Sequence, residues 1–283
     1  MEVAIIGANG QLGSDLVEVF GKEAIPLTHK DLDVTDFESL GILKELKPEV
    51  IINTAGYVKV DDAELYPVEA FQVNAIGALN VAKIANEINA INVYIGTDYV
   101  FDGTKDEPYT EEDVPNPLNV YGLSKYAGEI FTKNYCKKYY VVRVASLFGK
   151  AGARGKGGNF VELMIQRAKS GEEIKVVNDI FMSPTYTKDV ARTLKEFLKL
   201  KPEFGIYHMV NEGYCSWYEF AKMIFNLLEW SAEIKPIKSN ELERIAKRPR
   251  FSALRNKKLE NLGLRMRPWK EALEDYLKEK GYI

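Results

Sequence analysis

Cysteine and histidine are scarce in this 283-residue sequence, with two of each. Cys136 and Cys215 lie far apart and lack metal-ligand spacing. That excludes a disulfide framework and sets the expectation of a reducing, cytoplasmic setting. His29 and His208 are too few for a histidine-based triad or a zinc site, so no metal is expected. Neither sign of charge dominates: the formal net charge is −3 and the pI near 5.7, which argues against a general nucleic-acid binder. No apolar run reaches the roughly 18 residues of a membrane-spanning helix. The chain opens on an apolar strand pattern and not on a basic region followed by an apolar core, so no signal peptide is expected. No fixed-period repeat or low-complexity tract appears.

What is present is a full core, with 46% hydrophobic residues, in a length suited to one large α/β domain with a smaller companion. Val3-Ala4-Ile5-Ile6 is a continuous apolar run, as a strand buried on both faces requires. It meets Gly7-Ala8-Asn9-Gly10-Gln11-Leu12-Gly13 and then an amphipathic helix over Ser14–Phe20. In a strand–turn–helix unit the three glycines have separate uses: a tight turn, close approach of backbone to a pyrophosphate, and close packing of helix on strand. The helix N-terminus then faces the phosphates. The alternative is a tight turn without ligand; the position after an apolar N-terminal strand favours the dinucleotide.

The next strand, Ala24–Thr28, ends in Thr28-His29-Lys30 where an NAD-specific fold commonly places an acid for the ribose 2′-hydroxyl. Lys30 suits a 2′-phosphate, which tilts the expectation toward NADPH, with NADH as the alternative. Asp33 and Val34 fall where a carboxylate and an amide meet the adenine edge. A further buried strand runs into Ala55, Gly56 and Tyr57, small enough in part for a cofactor to lie close to the sheet. Asn74, in a small-residue helix over Phe71–Ile88, reads as a buried polar group satisfied by backbone.

The chemistry concentrates in two stretches. Asn92–Gly96 reads as a strand delivering Thr97 and Asp98 at its carboxyl end, where ligand clefts of open α/β sheets lie. After a Pro-bearing acidic loop, Tyr121 and Lys125 begin a helix. At i, i+4 they share one face, roughly 5–6 Å apart at Cβ. A hydroxyl, a phenol and an ammonium beside a cofactor can protonate a carbonyl oxygen as hydride arrives. Spacing alone is weak: Tyr218/Lys222 and Tyr276/Lys280 repeat it in helical patterns that read as packing or surface. Context selects the first pair. A free tyrosine has a pKa of about 10, and a neighbouring lysine ammonium is expected to lower it.

From Gly149 the composition shifts to a Gly-rich basic loop, Lys150–Gly158, readable as a flap or as solvated chain. Ser216 and Glu219 form a capping box ahead of an aromatic helix. Lys247–Lys258 carries six basic residues and no acid, a patch suited to a diphosphate or simply to water.

Gly7–Gly13, Thr97–Gly103, Asn116–Lys125 and Arg248-Pro249-x-x-Ser252-x-Leu254, in that order, resemble the extended short-chain dehydrogenase/reductases, and among them the dTDP-4-dehydrorhamnose reductases, over essentially the whole chain. The resemblance implies a Rossmann-like, doubly wound parallel sheet in residues 1–148, with 178–210 partly returning to it. A smaller α/β domain in 149–283 would hold the nucleotide sugar. It implies an NAD(P)H-dependent oxidoreductase reducing the C4 keto group of a dTDP-linked deoxysugar. Tyr121 would be the proton donor, Lys125 its helper and ribose anchor, and Thr97 a donor to the sugar carbonyl. Gly7, Gly10, Gln11, Leu12, Gly13, Thr28, Lys30, Asp33, Val34, Ala55, Gly56, Tyr57, Tyr121 and Lys125 would line the cofactor. Thr97, Asp98, Ser146, Asn159 and Arg248 would meet substrate. No nucleic-acid or membrane partner is expected, and a homodimer is implied.

Two departures fall on the substrate side. Arg143-Val144-Ala145-Ser146 replaces the family's Arg-Thr-Ser/Ala-Trp, and the Gly-rich loop is longer. A dehydratase would need an acid where Tyr99 stands. A nucleotide-sugar epimerase, and the non-catalytic NADP-binding regulatory subunit of methionine adenosyltransferase built on the same fold, are the competing readings. Thr97, Tyr121 and Lys125 being intact weighs against the second.

Overall fold

A computed structural model describes residues 1–152 and 158–283. The centre of the Gly-rich loop, 153–157, lies outside the described residues, and the flap reading with it. Six strands form one parallel sheet: β1 (Val3–Ile6), β2 (Ala24–Leu27), β3 (Val50–Asn53), β4 (Ile91–Thr97), β5 (Tyr139–Val144) and β6 (Gly205–His208). Their order is β2-β1-β3-β4-β5-β6. Val3 pairs with Ala24 on one side and Val50 on the other, so the winding reverses at β1. In such sheets the crevice for ligands opens outside the carboxyl ends at that reversal.

The all-apolar runs read from sequence are buried along their whole length in β1 and β3, because helices cover both faces. Leu12, Leu16 and Phe20 of the helix Gln11–Phe20 pack on one face together with Leu194, Phe197 and Leu198 of the helix Thr187–Leu200. Leu43, Val81 and Ile84 cover the other. The fold is the expected Rossmann-like α/β class. β6 pairs with β5, and residues 190–198 pack on the same core as β1, so this part of the chain returns to this sheet.

A second core gathers around Phe148, Tyr186, Phe220, Trp269 and Tyr276. It joins the helices Phe160–Ser170, Trp217–Leu227 and Trp269–Glu279. The capping box forms as expected, Ser216 Oγ accepting from Glu219 N–H while Glu219 accepts from Ser216 N–H. Tyr276 is fully buried here and Lys222 stands 5.7 Å from the Tyr218 ring centre, so both extra Tyr-x-x-x-Lys pairs serve packing. Ile234–Ile237, unmarked in the sequence because Pro236 interrupts it, pairs in parallel with Ile174–Val177. A two-stranded sheet consists of edges, where proline is tolerated.

The expected single helix over Phe71–Ile88 is a continuous run in three pieces: Pro67–Phe71, a π-helical turn Gln72–Ile76, and Gly77–Glu87. Asn74 sits in the π turn, and its carbonyl accepts from the Tyr94 hydroxyl at 3.0 Å. Such turns arise where a side group enters the helical ladder.

Candidate active site

The glycine turn has the geometry its sequence suggests. Gly7 has φ of +79°, and a Cβ there would lie 2.6 Å from Thr54 Oγ1. A Cβ on Gly13 would lie 2.1 Å from the Gly7 carbonyl, so the helix sits directly on the turn. Gly10 N–H donates to the Gly7 carbonyl at 2.8 Å. Gly10 is the N-cap of Gln11–Phe20, and no side chain caps that terminus. Its first N–H groups are thus left for an anion. The residues present fit a dinucleotide pyrophosphate. Leu12 is buried under the turn. Gln11 points elsewhere: its Nε2 donates to the Leu147 carbonyl at 3.1 Å, and its buried Oε1 has no partner.

At the end of β2, Thr28 is closed into a turn, its N–H and hydroxyl donating to Asp31 at 2.7 and 2.8 Å. Lys30 is exposed and extends from that turn. Asp33 accepts from Thr35 N–H at 2.9 Å, which holds its carboxyl below the usual range. Val34 is buried, and its carbonyl accepts from Asn80 at 3.0 Å.

The segment after β3 is held from the π turn. Asn74 Oδ1 accepts from Tyr57 N–H at 2.8 Å, while Nδ2 donates to the Tyr57 carbonyl at 3.0 Å and to Ser124 Oγ at 2.9 Å. The buried amide is satisfied by backbone as read, but it also ties Ala55–Tyr57 to the helix Val120–Tyr135. A Cβ on Gly56 would stand 3.9 Å from Lys125 Nζ. That leaves a trough bounded by Gly56 and Lys125.

Helix Val120–Tyr135 starts at Asn119, whose Oδ1 accepts from Gly122 N–H at 2.8 Å while Nδ2 donates to the Lys247 carbonyl. The absent side chains of Gly122 and Gly128 let it press onto Tyr99 and Tyr94; a Cβ would approach to 2.3 Å of backbone at each. Tyr121 thereby lies edge-on to Tyr99, ring centres 5.8 Å apart, on the side of the Thr97 hydroxyl. Lys125 is 5% exposed, with its ammonium 4.2 Å from the Tyr94 ring centre.

Burial dominates the electrostatics. It pushes the Tyr121 phenol well above its ordinary value, partly opposed by Thr97. It pushes Lys125 down to about 7, with Glu129 pulling the other way. The expectation that a charged Lys125 lowers the phenol is therefore corrected. Both groups are desolvated, and each disfavours its own charged form. Tyr121 consequently holds its proton across neutral pH. Burial also raises Asp98 to about 6, against hydrogen bonds from Ser252 and Thr97.

The substrate-side candidates disperse. Asp98 is buried and committed to neighbours: Thr97 Oγ1 donates to Oδ1 at 3.2 Å and Ser252 Oγ to Oδ2 at 2.6 Å. Ser146 has φ of +41°, a left-handed conformation unusual for serine, at the junction leaving β5. Asn159 caps the helix Phe160–Ser170, and its Nδ2 donates to the Gly149 carbonyl and the Tyr276 hydroxyl, both at 3.0 Å. Its amide is spent on joining structure. Arg248 makes a two-pronged pair with Asp61, at 3.0 and 2.7 Å, close to Tyr99. In the same basic stretch Arg255 pairs with Glu260 and Lys257 with Glu112, so those cations form a solvated face. Sequence reasoning missed Ser252, Tyr99 and Asp61 as parts of the site. Ser252 was visible only as a motif residue without a chemical role.

Fold and site define the class first: a doubly wound sheet, a glycine turn on β1 and a Tyr–Lys pair beneath the end of β4 make this an extended short-chain dehydrogenase/reductase. The chain belongs to the family described as RmlD substrate binding domain, matched over residues 1–281. It is 36% identical to the spore coat polysaccharide biosynthesis protein SpsK of Bacillus subtilis, covering 99% of this chain and 98% of that one. It is 35% identical to the dTDP-4-dehydrorhamnose reductase of Aggregatibacter actinomycetemcomitans, covering 96% of each. The crystal structure of a dTDP-4-dehydrorhamnose reductase from Clostridium acetobutylicum superposes with a TM-score of 0.94 at 41% identity, over 99% of this chain and all of that one. That from Bacillus anthracis, solved in complex with NADP, gives 0.93 at 41%, with the same coverage. A Thermotoga maritima UDP-glucose 4-epimerase, at 19% identity and 0.84, shares the fold. The chain is an NAD(P)-dependent oxidoreductase of this family.

Proposed function

We propose that this chain reduces the C4 keto group of a dTDP-linked 6-deoxysugar, dTDP-4-dehydro-L-rhamnose to dTDP-L-rhamnose, using NADPH, with NADH as the weaker alternative. The observation that carries the reading is the convergence of Thr97, Tyr121 and Lys125 at the carboxyl end of β4, beside the trough at Gly56. The dinucleotide, when bound, supplies the hydride. Gly7, Gly10, Leu12 and Gly13 would cradle its pyrophosphate, Lys30 its 2′-phosphate, Asp33 and Val34 its adenine, and Ala55–Tyr57 with Lys125 its ribose and nicotinamide end. Gln11 would contribute backbone only, since its side chain is engaged with Leu147.

In this reading the neutral Tyr121 phenol donates its proton to the developing C4 alkoxide, a contribution of roughly 10²–10⁴-fold. The Thr97 hydroxyl steadies the same oxygen. Lys125, near its titration point, stands against the ribose. Arg248 would exchange Asp61 for the sugar's diphosphate, and Ser146 would border the sugar. The second core, in 149–283, is the proposed substrate domain.

The reductase reading is favoured over an epimerase or a regulatory subunit by relatives at 32–35% identity named as reductases. One of these, from Streptomyces niveus, is named dTDP-4-keto-6-deoxy-D-glucose reductase. The test is NADPH and NADH oxidation with both keto sugars, in wild type and Tyr121→Phe. Turnover of the rhamnose precursor that falls at least about 10²-fold in the variant supports the proposal. A wild type that binds NADPH yet reduces only the D-glucose isomer would overturn the sugar assignment. One that reduces neither would overturn the reductase reading.

A further inference from the structure

The Tyr121 phenol is carried on the least secure part of its helix. Tyr121 is the second residue of Val120–Tyr135. It therefore lies in the first turn, where backbone N–H groups find no partner within the helix and the end frays. Lys125 lies one turn deeper. There the Tyr94 hydroxyl donates to its carbonyl at 3.3 Å, and Gly128 lets the helix press onto Tyr94. The helix itself thus places the lysine, while the tyrosine needs ties from outside.

One tie crosses 56 positions. The Val120 N–H, immediately ahead of Tyr121, donates to Glu64 Oε1 at 2.8 Å. Glu64 belongs to the short helix Val60–Leu65, which follows the cofactor-side residues 55–57 and is seated by the fully buried Ala63. Three residues earlier on that helix, Asp61 accepts from the Ala246 N–H at 3.0 Å and from both prongs of Arg248 at 3.0 and 2.7 Å. At i, i+3 the two carboxylates are neighbours on the helix surface. Asn119 completes the joint. Its Nδ2 donates to the Lys247 carbonyl at 2.8 Å, next to Arg248, while its Oδ1 caps Gly122. The start of the donor helix is clamped between chain leading from the cofactor trough and chain carrying the Arg248 fork.

Resting on the reductase reading above, we propose that Glu64 is a positioning residue for the proton donor: its carboxylate pins the first turn of the donor helix and so fixes where the Tyr121 phenol stands. A carboxylate accepting from a backbone N–H makes a charge-assisted bond. Negative charge at a helix N-terminus is also favoured by the peptide dipoles, an effect confined to the first turn. That turn holds Tyr121 and stops short of Lys125. A general acid has to stand within hydrogen-bond reach of its acceptor, and a displacement of about 1 Å costs roughly 10²-fold. Glu64 bonds to backbone, so its loss should fall on kcat and spare both KM for the sugar nucleotide and affinity for NADPH.

The experiment compares three variants. Glu64→Ala removes the acceptor, and Glu64→Gln keeps an acceptor oxygen at the same reach. Asp62→Ala takes one negative charge from the same helix, where Asp62 pairs with Lys59 at 3.3 Å, and leaves the tie to Val120 intact. The first arm is NMR of the ligand-free protein with ring-labelled tyrosine, the Tyr121 signal being identified by its loss in Tyr121→Phe. The Tyr99 ring, edge-on at 5.8 Å, shifts that signal, so it reports where the phenol stands. It should move in Glu64→Ala and keep its wild-type place in Glu64→Gln and Asp62→Ala. The second arm is steady-state kinetics with the keto sugar. Glu64→Ala should lower kcat roughly 10- to 10²-fold at unchanged KM, and the other two should keep most of the wild-type kcat. The proposal is overturned by an unmoved Tyr121 signal in Glu64→Ala, by a Glu64→Gln as poor as Glu64→Ala, or by an Asp62→Ala that reproduces the loss. If wild type binds NADPH yet turns over no keto sugar, the reductase reading fails by itself. The tie is then judged on the tyrosine signal, upheld by its movement in Glu64→Ala with recovery in Glu64→Gln.

Discussion

Lys125 illustrates how much of this site is decided by where a side chain is put. Only 5% exposed, above an aromatic ring, it loses the water that stabilises an ammonium. Its pKa falls from 10.5 to about 7. Between about 7 and 10.5 the unfolded chain therefore binds more protons than the folded one, so stability rises with pH across that window. The penalty is complete below about 7. Lys125→Met should accordingly raise the unfolding free energy of the ligand-free protein by on the order of a few kcal/mol at acidic pH and little at high pH. Urea denaturation at the two extremes measures it, and an equal gain at both would contradict the burial argument. Arg248 is the opposite case, a charge that is paired in the resting molecule. If it leaves Asp61 for a diphosphate, Arg248→Ala should raise KM for the sugar nucleotide at least about 10-fold and leave NADPH affinity unchanged. Separate titrations of the two ligands check this.

Among the elements, the glycine turn and the helix carrying Tyr121 are placed by the lack of side chains. Gly13→Ala puts a Cβ 2.1 Å from the Gly7 carbonyl, against backbone that cannot swing aside. Overpacking of this kind costs about 1–3 kcal/mol. Because the turn must open to admit the methyl, dinucleotide binding should be lost as well, by fluorescence titration. Beneath β4 the same device serves charge: Gly96 leaves room for Glu129 and Arg143, which pair at 2.7 Å with each side chain at most 2% exposed. Removing one partner strands a buried charge. Glu129→Leu should destabilise by about 3–5 kcal/mol, and adding Arg143→Met should recover most of it. Chemical denaturation of the single and double variants decides, and additive losses would show that the pair is not what the glycine accommodates.

For the whole molecule, ligand binding and folding are linked through the crevice at the sheet's reversal. NADPH at one hundred times its Kd should stabilise the fold by about 2.7 kcal/mol, roughly 5 °C in Tm. If exposed Lys30 meets the 2′-phosphate, NADH at equal concentration should give a smaller shift, and Lys30→Glu should close the gap. Thermal scans across both cofactors test the preference. No helix among the described residues is long and apolar enough to cross a membrane.

The sequence by itself determined the sheet, because strands buried on both faces are built on continuous apolar runs, and Val3–Ile6 and Val50-Ile51-Ile52 are such runs. It determined the glycine turn, since that spacing between strand and helix has few other uses. It also picked out Tyr121 over two equal spacings by what preceded it. Tertiary structure alone decided the rest. The break at Gln72–Ile76 depends on Tyr94 reaching Asn74 from another element. Ser252 meets Asp98 across 154 positions, a contact no local pattern records. Asn159 and Gln11 turned from ligand candidates into joints because partners distant in sequence claimed their amides. The Tyr121 phenol went the other way from a neighbour-charge argument, because spacing along a helix tells which groups are adjacent, while burial, a property of the folded whole, sets which charges survive there.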